Sequence, residues 1–364
     1  MTSKWNELAD LGQSVWYDNV ARPALADGLL ERLIAEDNVT GGTSNPSIFS
    51  KAVLESDLYD DDIAAAAPGD SPEAIFERCA QADIQQACDL FRPIWERTDG
   101  GDGYVSIEEE AYMAFDAEQA VRRGHELKAL IDRPNVMIKV PGTAEGVEAF
   151  RRLTREGVSV NVTLLFSRRR YREVAEAYVD AIRERVAAGE DVSSIASVAS
   201  FFVSRIDTQV DKRLPEDSPL RGTIAVANAK LAYADVYKTI FTSDAWRELA
   251  AAGANVQRPL WASTGVKDPA YRATLYIDEL IGPDTVTTVP DAALEAFRTQ
   301  GTPGSTLEQD VDEARRRLDE LAAAGIDLDE VTDDLERDGV KQFSDASEKM
   351  LAAIAEKASR VHAA

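Results

Sequence analysis

Short apolar or β-branched runs alternate with longer amphipathic segments along most of the chain. Amphipathic segments of this kind predict helices, and the short runs between them predict strands. Such alternation is typical of a parallel sheet covered by helices. The eight predicted strands are Ser14–Asp18, Val39–Ser44, Tyr104–Glu109, Val136–Val140, Ser159–Leu165, Ser197–Val203, Gln257–Ala262 and Thr285–Val289.

Eight strands with intervening helices in a span of about 275 residues match the size of a closed barrel. An open doubly wound sheet is the alternative, but no G-x-G-x-x-G motif follows a predicted strand. The sequence therefore predicts the α/β class, with a single (β/α)8 TIM barrel and additional N- and C-terminal helices.

The pattern becomes purely helical after Pro290, with helices predicted over Thr306–Ala324 and Leu328–Ala363. These helices are expected to pack across the barrel, so residues 1–364 form one domain with a C-terminal helical extension at 291–364. The segment Glu55–Pro72 is predicted to be a loop and helix cap on the outside.

Charge limits the classes of partner. Lys and Arg number 40 and Asp and Glu number 65, which gives a net charge of −25. This charge disfavours binding to nucleic acid and to anionic membranes, whereas a phosphate pocket needs only a few local cations. No apolar run approaches eighteen residues, and the N-terminal segment lacks the layout of a signal peptide. We expect a cytoplasmic protein.

Cysteine and histidine are scarce. Cys79 and Cys88 are nine residues apart in a predicted helix and face opposite sides, so no disulfide or structural zinc site is expected. His125 and His362 are the only histidines. Proton transfer is therefore expected to depend on carboxylates, Lys or Tyr rather than on a Ser-His-Asp triad or a metal site.

Lys139 interrupts the predicted strand VMIKV, where a parallel barrel is expected to be apolar on both faces. One interpretation is a structural ion pair, or a lysine whose ammonium reaches water at the strand end. The other is a lysine whose burial favours the neutral amine, which can attack a carbonyl carbon. Pro141 and Gly142 come directly after this predicted strand, so Lys139 lies near its carboxyl end. The active sites of such barrels are built at that end.

Other predicted strands carry polar residues toward the same end. Asn161 and Thr163 are two apart and share one face, while Val160, Val162 and Leu164 occupy the other. Each polar residue alone also fits a cap or a turn, but together they predict a polar barrel mouth. The further residues expected there are Asp18, Ser106, Glu108, Ser200, Phe202 and Arg205.

Five segments resemble the successive motifs of transaldolases, in the same order and spacing over most of the chain. They are TSNPS at 43–47, VSIEE around 108, VMIKVPGTAEG around 139, VNVTLLFS at 160–167 and SFFVSRID at 200–207. The chain length and LWASTGVKDP at 260–269 resemble the longer bacterial subfamily. The family is similar to class I aldolases in fold and chemistry.

The resemblance implies transfer of a dihydroxyacetone unit from sedoheptulose 7-phosphate to glyceraldehyde 3-phosphate in the pentose phosphate pathway, giving erythrose 4-phosphate and fructose 6-phosphate. It implies a Schiff base on Lys139, proton abstraction from the C4 hydroxyl by Asp18, and a water held by Glu108 and Thr163. No metal or organic cofactor is expected, and the partners are sugar phosphates. The implied substrate-binding residues are Asn45, Asn161 and Ser200 for the dihydroxyacetone hydroxyls, Phe202 beside the imine, Arg205 for the phosphate, and Ser263 and Lys267 as further phosphate candidates.

Alternatives remain open. A fructose 6-phosphate aldolase would release free dihydroxyacetone, but such relatives carry Gln and Tyr where this chain has Glu108 and Phe202. A non-catalytic sugar-phosphate-binding barrel would not need Lys139. The motif reads SIEEE where many relatives have S-T-E-V-D, so Glu109 or Glu110 could replace Glu108, although strand parity favours Glu108 over Glu109.

Overall fold

The computed structural model is a closed barrel of eight parallel strands surrounded by helices, and it describes residues 3–67, 69–109 and 111–361. The strands pair in chain order, and the last strand pairs with the first. Their bounds are β1 Gln13–Tyr17, β2 Val39–Thr43, β3 Val105–Glu108, β4 Val136–Pro141, β5 Val160–Leu165, β6 Ser197–Phe202, β7 Gln257–Ala262 and β8 Thr285–Val289.

The predicted strands agree with these bounds to within one residue at either end. The predicted (β/α)8 barrel is confirmed, and the alternative of an open doubly wound sheet is wrong because the sheet closes between β8 and β1. Burial on both faces explains the result, since strands β2, β4, β5 and β8 have no exposed position and read as apolar or β-branched runs.

Helices surround the barrel. Besides these helices, Ala111–Phe115 forms a 3₁₀ helix and Tyr233–Tyr237 a π-helical turn. The α-helices are α1 Lys4–Asp10, α2 Arg22–Ala26, α3 Leu29–Asp37, α4 Pro46–Glu55, α5 Asp60–Ala64, α6 Pro72–Arg97, α7 Ala117–Ile131, α8 Ala144–Arg155, α9 Arg168–Ala187, α10 Ser204–Val210, α11 Ile224–Ala232, α12 Lys238–Phe241, α13 Asp244–Ala251, α14 Leu275–Asp278, α15 Asp291–Gln300, α16 Val311–Ala323 and α17 Leu328–Val361.

The segment 55–72 was predicted to be a loop and cap, and this prediction is wrong for its middle part. Helix α5 lies there, with Tyr59 and Ile63 fully buried against α4, α6 and α17. The segment is rich in Ala and Asp and also contains Gly and Pro, so its two buried apolar residues gave no clear helical pattern. Cys79 and Cys88 are buried free thiols on α6. The single-domain division with an extension from residue 291 stays a prediction, as does everything at His362, which lies outside the described residues.

The strands of the barrel separate two hydrophobic cores, one between the strands and the helices and one inside the barrel. Outward-facing residues such as Val160 and Val162 pack with the helices in the main core. Trp16, Met137, Val198 and Leu260, among others, fill the barrel interior. Large side chains inside the barrel make its lower part a packed core, so an open site can exist only at the carboxyl ends of the strands.

Helix α17 extends along that open end. It packs against α9 and α10 on one side and against α4 and α5 on the other. A Cβ atom at Gly339 would lie 3.2 Å from Leu164 Cδ2, so the helix approaches the end of β5 closely. Leu164 has a φ of 59° where the β5–β6 register shifts, and this bulge interrupts the simple alternation predicted for β5.

Candidate active site

Lys139 and Glu108 form the centre of the site. The parallel register pairs the two residues across β3 and β4, and Lys139 Nζ lies 2.6 Å from Glu108 Oε1. The side chains are only 10% and 12% exposed. Lys139 Nζ also donates to the carbonyl of Ser44 at 3.3 Å. An amine held between a carboxylate and a carbonyl has a proton acceptor in direct contact, which nucleophilic attack by an amine requires.

Asp18 supplies a second carboxylate directly after β1. Thr43 Oγ1 donates to Asp18 Oδ1 at 2.6 Å, which fixes the carboxylate at the end of β2. Burial raises the pKa of Asp18, and the charge of Lys139 and the bond from Thr43 oppose this rise. A carboxylate with a raised pKa can accept a proton and return it later.

Burial also raises the pKa of Glu108, and the nearby charge of Asp18 adds to this rise. Lys139 opposes it through its charge and its hydrogen bond. Asp18 and Glu108 thus share one lysine in a poorly solvated site, where two ionised carboxylates would outnumber the single cation. The arrangement favours the protonated form of one of the two carboxyl groups.

Asn161 continues this layer beside Lys139 in the β4–β5 register. Its Nδ2 donates to Ser106 Oγ at 3.0 Å, and its Oδ1 accepts from Ser200 Oγ at 2.7 Å. All three side chains are buried. The chain of hydrogen bonds links β3, β5 and β6 and holds the Asn161 amide in one orientation.

Thr163 and Asn45 lie at the rim of the same site. Thr163 is buried and pairs with Pro141, which lies two residues beyond Lys139 toward the open end. Asn45 is the N-cap of α4, and its Oδ1 accepts a hydrogen bond from the backbone N–H of Ile48 at 3.0 Å. This cap occupies the acceptor of Asn45 and orients its Nδ2 donor, because the helix start fixes the side chain.

Arg205 follows β6 in the first turn of α10. Its Cζ lies 5.2 Å from the ring centroid of Phe202, and its Nη1 donates to Gln342 Oε1 at 3.1 Å. Burial lowers the pKa of Arg205, which reflects a poorly solvated guanidinium. Among the described residues it has no carboxylate within ion-pair distance. A half-buried cation in this state can bind an anion with little competition.

Ser263 and Lys267 are positioned differently from one another. Ser263 follows β7 with a φ of 56°, and its hydroxyl lies 3.0 Å from that of Ser204 at the start of α10. This contact brings Ser263 next to the segment that carries Arg205. Lys267 is exposed, four residues further along the loop, and no described contact ties it to Arg205. The geometry supports Ser263 more directly than Lys267.

Glu108, rather than Glu109, contacts Lys139, as strand parity predicts. Glu109 is also buried, and together with Glu108, Ser44 and Asn45 it lines an apolar cavity of about 260 Å³ that α4, α6, α7 and α17 enclose. Glu110 lies outside the described residues. Sequence reasoning missed the roles of Thr43, Ser44 and Gln342 in holding Asp18, Lys139 and Arg205. Thr43 and Ser44 belong to the motif TSNPS, which could have indicated them. Gln342 belongs to no motif, so no local sequence feature indicates its contact with Arg205.

The comparisons with known proteins agree with this geometry. A model of the family described as Transaldolase/Fructose-6-phosphate aldolase matches residues 15–354. A protein named Transaldolase from Thermobifida fusca is 47% identical over 98% of both chains. Others so named are 47% identical in Thiobacillus denitrificans, over 96% of this chain and 98% of theirs, and 45% identical in Saccharopolyspora erythraea, over 97% of both.

The chain belongs to the transaldolase/fructose-6-phosphate aldolase family. Membership in this transaldolase family confirms the resemblance that the five motifs indicated. No helix in the described parts of the chain is long and apolar enough to cross a membrane. Across the same residues, no group of three or more His, Cys, Asp and Glu side chains is arranged to hold a metal ion. Cofactor independence stays a prediction, as do the roles of single residues.

Proposed function

We propose that this protein is a transaldolase that moves a dihydroxyacetone unit from a ketose phosphate to an aldose phosphate through a Schiff base on Lys139. The observation that supports this most directly is the buried contact of Lys139 with Glu108 at the carboxyl end of β4. An ion pair with a purely structural role would not need to lie at the open end of the barrel, beside a second carboxylate.

The reaction begins when the neutral Lys139 amine attacks the C2 carbonyl of the ketose, and loss of water gives a protonated imine. Asp18 then takes the proton of the C4 hydroxyl, the C3–C4 bond breaks, and its electron pair moves to the imine nitrogen. The aldose leaves, and an enamine of dihydroxyacetone remains. An incoming aldose phosphate reverses these steps, and Asp18 returns its proton to the new hydroxyl.

Glu108 and Thr163 manage the water of imine formation and hydrolysis. Glu108 accepts a proton from the amine it contacts and passes it to the departing hydroxyl, and Thr163 holds the water in place. Asn161, Ser200 and Asn45 bind the hydroxyls of the dihydroxyacetone unit and retain the enamine until an acceptor arrives. Phe202 keeps the region beside the imine apolar, which disfavours premature hydrolysis.

Arg205 binds the sugar phosphate, assisted by Ser263 and in part by Lys267. A charge-assisted contact of this type contributes roughly 1.5–3 kcal/mol, which is on the order of ten- to a hundredfold in affinity. Sugar phosphates are the expected partners, and neither nucleic acid nor membranes are, because of the negative charge. A cytoplasmic location is part of the same proposal.

An assay with fructose 6-phosphate and erythrose 4-phosphate tests the reaction class. We expect formation of glyceraldehyde 3-phosphate to depend on erythrose 4-phosphate. Release of free dihydroxyacetone without an acceptor would indicate a fructose 6-phosphate aldolase instead. Binding of fructose 6-phosphate with no turnover would indicate a non-catalytic barrel.

Borohydride trapping tests Lys139 itself. Treatment of the enzyme with fructose 6-phosphate and borohydride should reduce the imine to a stable secondary amine on the peptide around Lys139, as read by mass spectrometry. Lys230 and Lys357 are also buried and serve as internal controls that should remain unmodified. Lys139→Arg keeps the charge but cannot form an imine, so it should fold and lack transfer. An adduct on another lysine would contradict the mechanism.

A further inference from the structure

In the part of the chain that the structure describes, α17 makes polar side-chain contacts with four arginines on the α9–α10 side of the barrel, and one of these arginines has a neutral partner. Three are paired with carboxylates of the helix: Arg169 with Asp333 at 2.9 Å, Arg170 with Glu336 at 3.3 Å, and Arg213 with Asp334 at 3.3 Å. The fourth, Arg205, meets the neutral amide oxygen of Gln342 at 3.1 Å.

This neutral contact stands in an acidic helix. Residues 328–361 include nine Asp or Glu and five Lys or Arg, and Asp345 and Glu348 follow Gln342 within two turns. The amide oxygen of Gln342 accepts a hydrogen bond from the guanidinium without neutralising its charge. The ring of Phe202, 5.2 Å from the Arg205 Cζ, supports the guanidinium from the barrel side. Arg205 is therefore held in position with its full positive charge available.

We propose that Gln342 is a positioning residue for the substrate phosphate, so that α17 completes a binding site otherwise built from the barrel loops. This inference rests on the proposed function for the identity of the ligand. A glutamate at this position would form an ion pair with Arg205 and would repel a phosphate dianion. An amide holds the guanidinium without these two effects, and this explains a neutral side chain where the neighbouring contacts are ionic.

Three variants of the full-length enzyme test the role of charge at this position. Gln342→Glu introduces the competing carboxylate, and Gln342→Met keeps the length of the side chain but removes the hydrogen bond. Ala352→Glu is the matched control, because it adds the same charge at an exposed position of α17 roughly 15 Å further along the helix axis. At physiological ionic strength this distance exceeds the screening length of about 8 Å.

Binding of inorganic phosphate, measured by calorimetry, and kinetics with fructose 6-phosphate and fructose are the readouts. We expect Gln342→Glu to weaken phosphate binding about tenfold, which corresponds to about 1.4 kcal/mol, and to lower the preference for fructose 6-phosphate over fructose by a similar factor through KM. Gln342→Met should weaken phosphate binding two- to threefold. Ala352→Glu should match the wild type.

Wild-type phosphate affinity in Gln342→Glu would overturn the inference, as would an equal loss in Ala352→Glu or a loss confined to kcat. The proposed function fails separately. If the wild type bound phosphate but catalysed no transfer, the binding series would still decide the role of Gln342.

Discussion

The buried carboxylates of this barrel differ in the charge of the groups that they contact. Asp18 and Glu108 share Lys139, whereas the donors to Asp207 on α10 among the described residues are neutral and include the backbone N–H of Ala225 at 2.8 Å and the hydroxyl of Tyr276 at 3.0 Å. Burial raises the pKa of Asp207 to about 7, and the charge of Asp211 on the next helical turn adds to this rise. Asp207 thus anchors α10, and its raised pKa makes this contribution to stability depend on pH.

The pH dependence of stability tests this assignment. Because the pKa of Asp207 is higher in the folded than in the unfolded chain, its contribution is fully present below about pH 4 and is lost as pH rises through 7. Between pH 5 and pH 8 this loss is about 2–3 kcal/mol, at about 1.4 kcal/mol per pKa unit. Asp207→Asn should lack it, so the free energy of unfolding of the variant, relative to the wild type, should increase with pH in urea titrations. A pH-independent difference would contradict the assignment.

At the scale of elements, α17 is held across the barrel mouth by polar contacts at both ends. Its C-terminal part is anchored by Lys357, a buried lysine whose Nζ donates to the carbonyls of Val53 and Ser56 and lies 2.8 Å from Asp60. These contacts join α17 to the end of α4 and the start of α5. Since α17 also carries Gln342, we expect this anchor to support the proposed phosphate site at a distance.

Lys357→Met should loosen the C-terminal half of α17 because it leaves two carbonyls and a carboxylate without their cation. We expect a loss of about 2–3 kcal/mol in the free energy of unfolding, below the usual cost for a buried pair because Asp60 is partly exposed. Hydrogen exchange should increase in residues 345–361. Lys341→Met, which removes the exposed pair with Asp345 on the same helix, should change the stability by less than about 0.5 kcal/mol.

For the whole molecule, a polar network that supports the fold lies at one end of the barrel and the candidate active site lies at the other. At the amino ends of the strands, Asp102 accepts hydrogen bonds from Ser14 and from Trp16 Nε1 at 2.8 Å, and it pairs with Arg258 at 3.3 Å. This network joins β1, β7 and the loop before β3 below the packed interior. The residues proposed for catalysis lie beyond that interior, at the carboxyl ends of the strands.

Asp102→Asn should therefore lower stability without changing catalysis. The variant leaves the half-buried Arg258 without its counterion, which should cost about 3 kcal/mol in the free energy of unfolding. The kcat and KM for fructose 6-phosphate should remain at the wild-type values. Asp217→Asn, at an exposed position, is the control for the loss of one charge. A change in kcat in Asp102→Asn would show that the two ends of the barrel are coupled.

The sequence by itself determined the strands, the barrel and the central lysine. Strands buried on both faces appear in the sequence as continuous apolar runs. Lys139 stands out within such a run because burial of a charge is costly. Strand parity also distinguished Glu108 from Glu109, since alternate residues face opposite sides of a sheet. These features depend on local patterns or on short motifs, so the sequence alone predicts them.

Only the tertiary structure decided which distant groups meet. The contact of Arg205 with Gln342 spans 137 positions of sequence, and it depends on the course of α17 over the rim, which helical periodicity cannot specify. The fixation of Asp18 by Thr43 depends on the register of neighbouring strands, and the positive φ of Leu164 depends on a local shift in that register. Periodicity records which face of an element is buried, whereas packing determines what lies against it.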